Sequence, residues 1–342
     1  MKKQIVMLLA AVLLLTGCAA QSGQDTAVED STGVYAMVIK SDGNTYNDLM
    51  AQGFQEVIEE AGGTCVIARP TEITAEAQIE ILQELIQQKV DSIAVAANDE
   101  DALSPVLQDA MGLGICVSTV DSDVSAQARQ VFVNQAATDE IARKLVEAVY
   151  EMAGGSGQWA ILSAGSQATN QNTWIRAMRS VMEEETYQDL RLVDIVYGND
   201  ETEASKEKTG ELLENYPDLK VICAPTVMGL AAVAEVLKEQ GNTSVKVTGL
   251  GLPSSMRAYV KGEDATCPYF YLWNPIDLGR MSGYVSLALK KGTITGAVGE
   301  TFEAGDMGNF VIRENEFGAS EVVVAPLIRF DAENIAEWQD LF

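Results

Sequence analysis

Short apolar runs rich in β-branched residues alternate along this chain with longer stretches of helical period. Val34-Tyr35-Ala36-Met37-Val38-Ile39 predicts a strand, Leu49 to Ala61 a helix and Cys65-Val66-Ile67 a second strand. From Ala75 to Gln88 the pattern is helical, with Ile79, Leu82 and Ile86 on one face. Ile93-Ala94-Val95-Ala96 predicts a strand, Leu103 to Met111 a helix and Ile115 to Val120 a strand. Strands without polar alternation are buried on both faces. That predicts a parallel sheet with helices on either side.

The same grammar then starts again. Ala160-Ile161-Leu162 predicts a strand, Trp174 to Glu184 a helix, Leu192 to Val196 a strand and Glu203 to Tyr216 a helix. Val221-Ile222-Cys223, the helical stretch Leu230 to Glu239 and Val245-Lys246-Val247 come next. This is weak duplication at the level of a domain, not a solenoid repeat. A single core stops growing near about 250–300 residues, so a chain of this length predicts two α/β domains.

The N-terminus falls outside this pattern. Lys2 and Lys3 precede an apolar run from Ile5 to Leu15. A bilayer core needs about 20 helical residues, so the run is too short to span and has the form of a signal peptide. It ends in Leu15-Thr16-Gly17-Cys18, which resembles the lipobox of bacterial lipoproteins. The resemblance implies a signal peptide over 1–17, acylation of Cys18 and an extracytoplasmic protein anchored to the cell membrane by that lipid. Residues 18–32 are small and polar and predict a flexible tether.

Charge and composition narrow the function. Fifty acidic residues against 23 basic ones give a formal −27, which argues against nucleic acid as a partner. The chain has no histidine. That removes Ser-His-Asp and Cys-His nucleophile systems, H-E-x-x-H zinc sites and histidine bases. A surface enzyme would have to use carboxylate, lysine or tyrosine chemistry. Cys65, Cys116, Cys223 and Cys267 are widely spaced and form no C-x-x-C pair. Buried thiols and a disulfide both remain open, and no spacing supports a metal site or a cofactor.

In open parallel sheets, ligands bind beyond the carboxyl ends of the strands, and two such domains share one cleft. The residues just after each strand are therefore the candidates. They include Lys40, Asn44 and Tyr46 after the first strand, Asn98 after the third and Asp121 after the fourth. Asn134 comes after Val131-Phe132-Val133, where the first crossover between domains is expected. Asn170, Gln171 and Trp174, then Pro225 and Thr226, then Trp273 and Asn274 are the candidates of the second half. Asp accepts hydrogen bonds, Lys donates them, and Asn and Gln do both, which suits the hydroxyls of a sugar. Tyr46, Trp174 and Trp273 offer planes for the C–H faces of a sugar ring. Each residue also has a plainer role: Asn and Asp after strands are common helix caps, Lys40 can be a surface lysine, and Trp174 can pack its helix on the sheet. Asn199-Asp200-Glu201 reads as a helix start, and Gly154-Gly155-Ser156-Gly157 precedes a strand and reads as a linker.

Several segments together resemble a known family. These are Arg69-Pro70-Thr71-Glu72, Lys89-Val90-Asp91-Ser92-Ile93-Ala94-Val95, Val120-Asp121-Ser122-Asp123 and Val131-Phe132-Val133-Asn134-Gln135-Ala136. Ala168-Thr169-Asn170-Gln171-Asn172-Thr173-Trp174, Thr248-Gly249-Leu250-Gly251 and Leu272-Trp273-Asn274-Pro275 with Asp277-Leu278-Gly279 complete the set. In order, they resemble the rhamnose-type solute-binding proteins of ABC importers, relatives of the autoinducer-binding receptors. The resemblance implies a type I periplasmic-binding fold: two open parallel-sheet, three-layer domains joined by three crossovers. It places 33–135 plus 275–300 in the first domain and 136–274 plus 301–342 in the second, with the tail through Trp338 packed on the latter. It carries ligand contacts to Lys40, Asp121, Asn170, Gln171 and Pro225. It implies a monomer that takes a small sugar and delivers it to a permease and its ATPase. The chain departs from the autoinducer receptors at Asn170, where they have Asp, and at Pro225-Thr226-Val227, where they have Pro-Asp-Ala. A receptor feeding a sensor kinase is the alternative function.

Overall fold

The computed structural model describes residues 32–342 apart from Glu263. The predicted signal peptide, Cys18 and the tether up to Ser31 lie outside the described residues. The first lobe opens with β1 (Val34–Val38), α1 (Thr45–Glu60), β2 (Thr64–Ala68), α2 (Ala75–Gln88), β3 (Ser92–Val95), α3 (Glu100–Gly112), β4 (Cys116–Val120) and β5 (Val131–Asn134). The second contains α4 (Thr138–Met152), β6 (Gly157–Ser163), α5 (Thr169–Val181), β7 (Leu190–Tyr197), α6 (Thr202–Asn215), β8 (Leu219–Ala224), α7 (Val227–Glu239), β9 (Lys246–Gly249), α8 (Pro253–Met256) and β10 (Tyr269–Leu272). Then come α9 (Pro275–Lys291), β11 (Thr301–Glu303), β12 (Asn309–Val311), β13 (Arg313–Glu314), β14 (Ser320–Val323), β15 (Ile328–Asp331) and α10 (Ile335–Trp338).

The first sheet has the order β13-β14-β5-β4-β3-β1-β2, parallel except for β13. The second has the order β7-β6-β8-β9 and is parallel throughout. Tyr271 of β10 bridges Leu250 beside it, and β10 pairs antiparallel with β15. Every residue of β3 is buried, as the apolar run Ile93-Ala94-Val95 requires. The expected class, two open parallel sheets with helices on both faces, is the one the chain adopts.

Helix α9 returns to the first lobe and lies against α1. Glycines make this possible: a Cβ on Gly279 would stand 1.8 Å from the Met50 carbonyl oxygen, and one on Gly53 2.0 Å from that of Ile276. The two backbones touch, so any side chain at either glycine would force the helices apart. The contact fixes where α9 begins, and hence the position of Trp273 just before it.

The chain crosses between lobes after β5, between β10 and α9, and between β14 and β15. The first and third crossings run side by side: Val324 N donates to Asn134 O at 3.0 Å and Ala325 N to Gln135 O at 3.4 Å. The domain boundary expected at 301 is corrected by the pairing of β14. This strand pairs parallel with β5, with Val322 opposite Val133, so the chain stays with the first lobe to Val323. Val322 is fully buried and Glu321 nearly so, which ties this short strand to the first sheet. Only β15 and α10 return to the second lobe, where Trp338 packs on Phe330 and Phe342, with ring centroids 5.7 and 5.5 Å away. Cys65, Cys116, Cys223 and Cys267 are free thiols. Burial pushes the Cys65 thiol up to about 12 and raises those of Cys223 and Cys267 further. Among the described residues no helix is long and apolar enough to cross a membrane.

Candidate functional site

The carboxyl ends of both sheets meet at a pocket organised around Asp121. This residue comes directly after β4 in a left-handed conformation (φ 63°) and is 4% exposed. Its Oδ2 pairs with Lys40 Nζ at 3.0 Å and accepts from Asn170 Nδ2 and Ser122 Oγ, each at 3.1 Å. Its Oδ1 accepts from Tyr46 Oη at 2.8 Å. Lys40 Nζ also donates to Asn170 Oδ1 at 3.4 Å. Lys40, Tyr46 and Asp121 belong to the first lobe and Asn170 to α5 of the second, so this knot spans the cleft. A buried carboxylate needs such partners, because an unpaired charge there would be very costly.

Aromatic side chains form one wall. Tyr46 Oη accepts from Trp273 Nε1 at 2.8 Å, and the two rings meet edge to face at 6.2 Å. Trp174 meets Trp273 at 6.0 Å. Burial and the neighbouring Asp121 carboxylate raise the Tyr46 phenol well above its ordinary value. Tyr46 is therefore a neutral donor, held by its hydroxyl.

The second lobe supplies the opposite wall. Gln171 Oε1 accepts from Ser163 Oγ at 2.5 Å and from Ala164 N at 2.8 Å. Pro225 and Thr226 come after β8, and the Thr226 hydroxyl donates to Asp200. Asp200 comes after β7, with Asn199 and Asp200 both at φ 53°. Loss of solvent raises the Asp200 carboxyl above its ordinary value; Thr226 and Lys40 pull it down, and Asp121 adds to the rise.

A raised carboxyl has a definite consequence for stability. Its contribution is fully present below the unfolded value, about 3.9, and is lost as pH rises through the folded value. At neutral pH the burial of Asp200 therefore works against folding. Asp200→Asn in the ligand-free protein is expected to melt at the same or a higher temperature at neutral pH. Any gain should vanish below the ordinary carboxyl range, where Asp200 is protonated folded and unfolded. A substitution that lowers the melting temperature at neutral pH contradicts this.

Ten of the predicted residues line this pocket: Lys40, Asn44, Tyr46, Asp121, Asn170, Gln171, Trp174, Pro225, Thr226 and Trp273. Asn44 has a second role as the cap of α1, accepting from Tyr46 N at 3.0 Å. Three predicted residues do not line it. Asn98 donates to Lys40 O at 2.9 Å and pins the end of β1. Asn134 donates to Glu321 Oε2 at 2.9 Å, joining β5 to β14. Asn274 caps α9, accepting from Ile276 N at 2.9 Å. All three satisfy backbone or carboxylate groups of the frame. Asp200, Asn47, Leu250 and Leu272 line the pocket and were not among the candidates. The strand-end rule, applied to β7 as to the others, would have found Asp200.

Two α/β lobes whose strand ends share one pocket of hydrogen-bonding groups and aromatic rings define a bilobal solute-binding protein. The chain matches the periplasmic binding protein domain over residues 35–294 and belongs to that family. It is 46% identical to a solute-binding protein of an ABC transporter from Clostridium phytofermentas, solved with bound L-rhamnose. That match covers 91% of this chain and 99% of the other, with a TM-score of 0.89. It is 27% identical over 184 residues to the D-ribose/D-allose-binding protein of Pseudomonas aeruginosa, 52% of this chain and 57% of the relative. It is 24% identical over 227 residues to the D-apiose import binding protein of Actinobacillus succinogenes, 66% of this chain and 71% of the relative. LsrB from Clostridium saccharobutylicum in complex with AI-2 shares the fold, with a TM-score of 0.83 at 21% identity over 89% of this chain and 99% of that one.

Proposed function

We propose that this protein is the extracytoplasmic solute-binding component of an ABC importer, and that it captures L-rhamnose or a closely related deoxyhexose between its lobes. The observation that carries the reading is the pocket built on Lys40, Asp121 and Asn170, in a chain 46% identical to a protein solved with L-rhamnose. Five or six hydrogen bonds, each netting about 1 kcal/mol and up to about 3 to a charged group, reach roughly the −8 kcal/mol of micromolar binding after ordering costs. Val227 lines the pocket and gives the sugar methyl an apolar neighbour. One buried methyl contributes about 0.8 kcal/mol, roughly a fourfold preference. Hydroxyl geometry discriminates further, since a buried polar group left unpaired costs about 1–3 kcal/mol.

Closure is a consequence of the same contacts. Asn170 bonds Lys40 and Asp121 across the cleft, so a ligand touching both walls favours the closed state. The proposed partners are a permease and its ATPase, the protein acting as a monomer held to the membrane by lipid on Cys18. A thermal-shift screen over deoxyhexoses, hexoses, pentoses and the furanosyl autoinducer tests the ligand, because a molecule that binds only the folded state raises the melting temperature. L-rhamnose should give the largest shift; a larger one from the autoinducer overturns the assignment. Cys18→Ser should move the protein out of the detergent phase or leave its leader uncleaved. Equal partitioning of wild type and variant counts against the anchor.

A further inference from the structure

A groove of about 780 Å³ lies beside the sugar pocket on the hinge side. Asp121, Asn170 and Trp174 line both spaces and so belong to the partition between them. The volume is within the range of sites that hold a small molecule, roughly 300–1,000 Å³. Gln135, on the first crossing, lines the groove and is 1% exposed, yet its buried Oε1 has no hydrogen-bond partner among the described residues. A buried acceptor without a partner is costly and calls for a donor such as a hydroxyl.

The rim carries a second feature. Phe317 lines the groove and is 67% exposed. It sits in the turn between β13 and β14, held by Asn315 Oδ1, which accepts from Phe317 N at 3.0 Å and Ala319 N at 2.9 Å. A large ring kept in the open on an ordered turn is a platform for an apolar or C–H face. Among the described residues, the opening on the other side of the pocket is lined by no aromatic side chain. The hinge-side groove has seven carboxylates against three guanidinium groups among its lining residues, which disfavours a phosphate or a uronate.

We infer that this groove is a second carbohydrate subsite, which takes a neutral sugar joined by a glycosidic bond to the one captured in the pocket. The inference rests on the monosaccharide reading above. The protein then accepts short rhamnosides as well as free L-rhamnose. The glycosidic link takes the place of the Asp121–Asn170 hydrogen bond, Gln135 Oε1 accepts from a hydroxyl of the second ring, and Phe317 covers its C–H face.

Calorimetry on wild type and Phe317→Ala tests this, with L-rhamnose and the three α-linked dirhamnosides joined through O2, O3 and O4. At least one dirhamnoside should bind wild type within tenfold of L-rhamnose. Phe317→Ala should weaken that dirhamnoside fivefold or more and leave L-rhamnose within twofold. Every dirhamnoside binding wild type more than tenfold weaker than L-rhamnose overturns the subsite. So does a best dirhamnoside that Phe317→Ala leaves unchanged. A protein that binds none of the four sugars fails at the first titration and overturns the monosaccharide reading as well; one that binds only L-rhamnose overturns the subsite alone.

Discussion

Asp121→Asn is expected to weaken L-rhamnose binding by about 2–5 kcal/mol, roughly thirtyfold to several thousandfold. The carboxylate meets four donors: Lys40, Tyr46, Asn170 and Ser122. An amide in its place offers one oxygen instead of two and turns an N–H₂ toward one of those donors. Lys40 then loses the carboxylate it pairs with at 3.0 Å. Removing one partner of a buried ion pair costs more than the pair is worth, because the remaining charge stays unpaired. Calorimetry on the two proteins measures the loss. An affinity within threefold of wild type contradicts the central place given to Asp121.

Trp273→Ala is expected to destabilise the protein by about 3–5 kcal/mol, the usual range for a fully buried large aromatic side chain. Trp273 is 2% exposed, donates to Tyr46 Oη and meets both Tyr46 and Trp174 edge to face. It also sits at the second crossing, so the cavity would open where the lobes join. Trp273→Phe keeps most of the bulk and loses only the indole N–H. It should recover most of the stability but leave the Tyr46 hydroxyl with Asp121 as its remaining partner. A thermal melt of the three proteins checks the order wild type, Phe, Ala. Equal melting temperatures for wild type and Ala contradict it.

The central strands of both lobes were legible because burial on both faces leaves an unbroken apolar run, as in Ile93-Ala94-Val95-Ala96. The strands beyond residue 300 were not: β13 and β14 have two and four residues, too few to show a period. Helix α4 was missed as well, although Ile141, Leu145 and Val149 recur on its buried face. At the site, the strand-end rule found ten lining residues, because a parallel sheet delivers all its strand-to-helix loops to one edge. Asn98, Asn134 and Asn274 fall outside that pocket for a chemical reason. An Asn that caps a helix or holds a frame carbonyl is the same residue, in the same sequence setting, as one that meets a sugar. Asp200 reads locally as a helix start, and α6 does begin at Thr202. Its bond to Thr226 across the ends of β7 and β8 is a tertiary contact that no local pattern announces.

Calorimetric titration of L-rhamnose into the wild-type protein tests the central claim most directly. The account predicts one site per chain with micromolar or tighter affinity, and with heat that disappears or falls steeply in Asp121→Asn. No heat and no thermal stabilisation at millimolar L-rhamnose, or tighter binding of the furanosyl autoinducer, would contradict it.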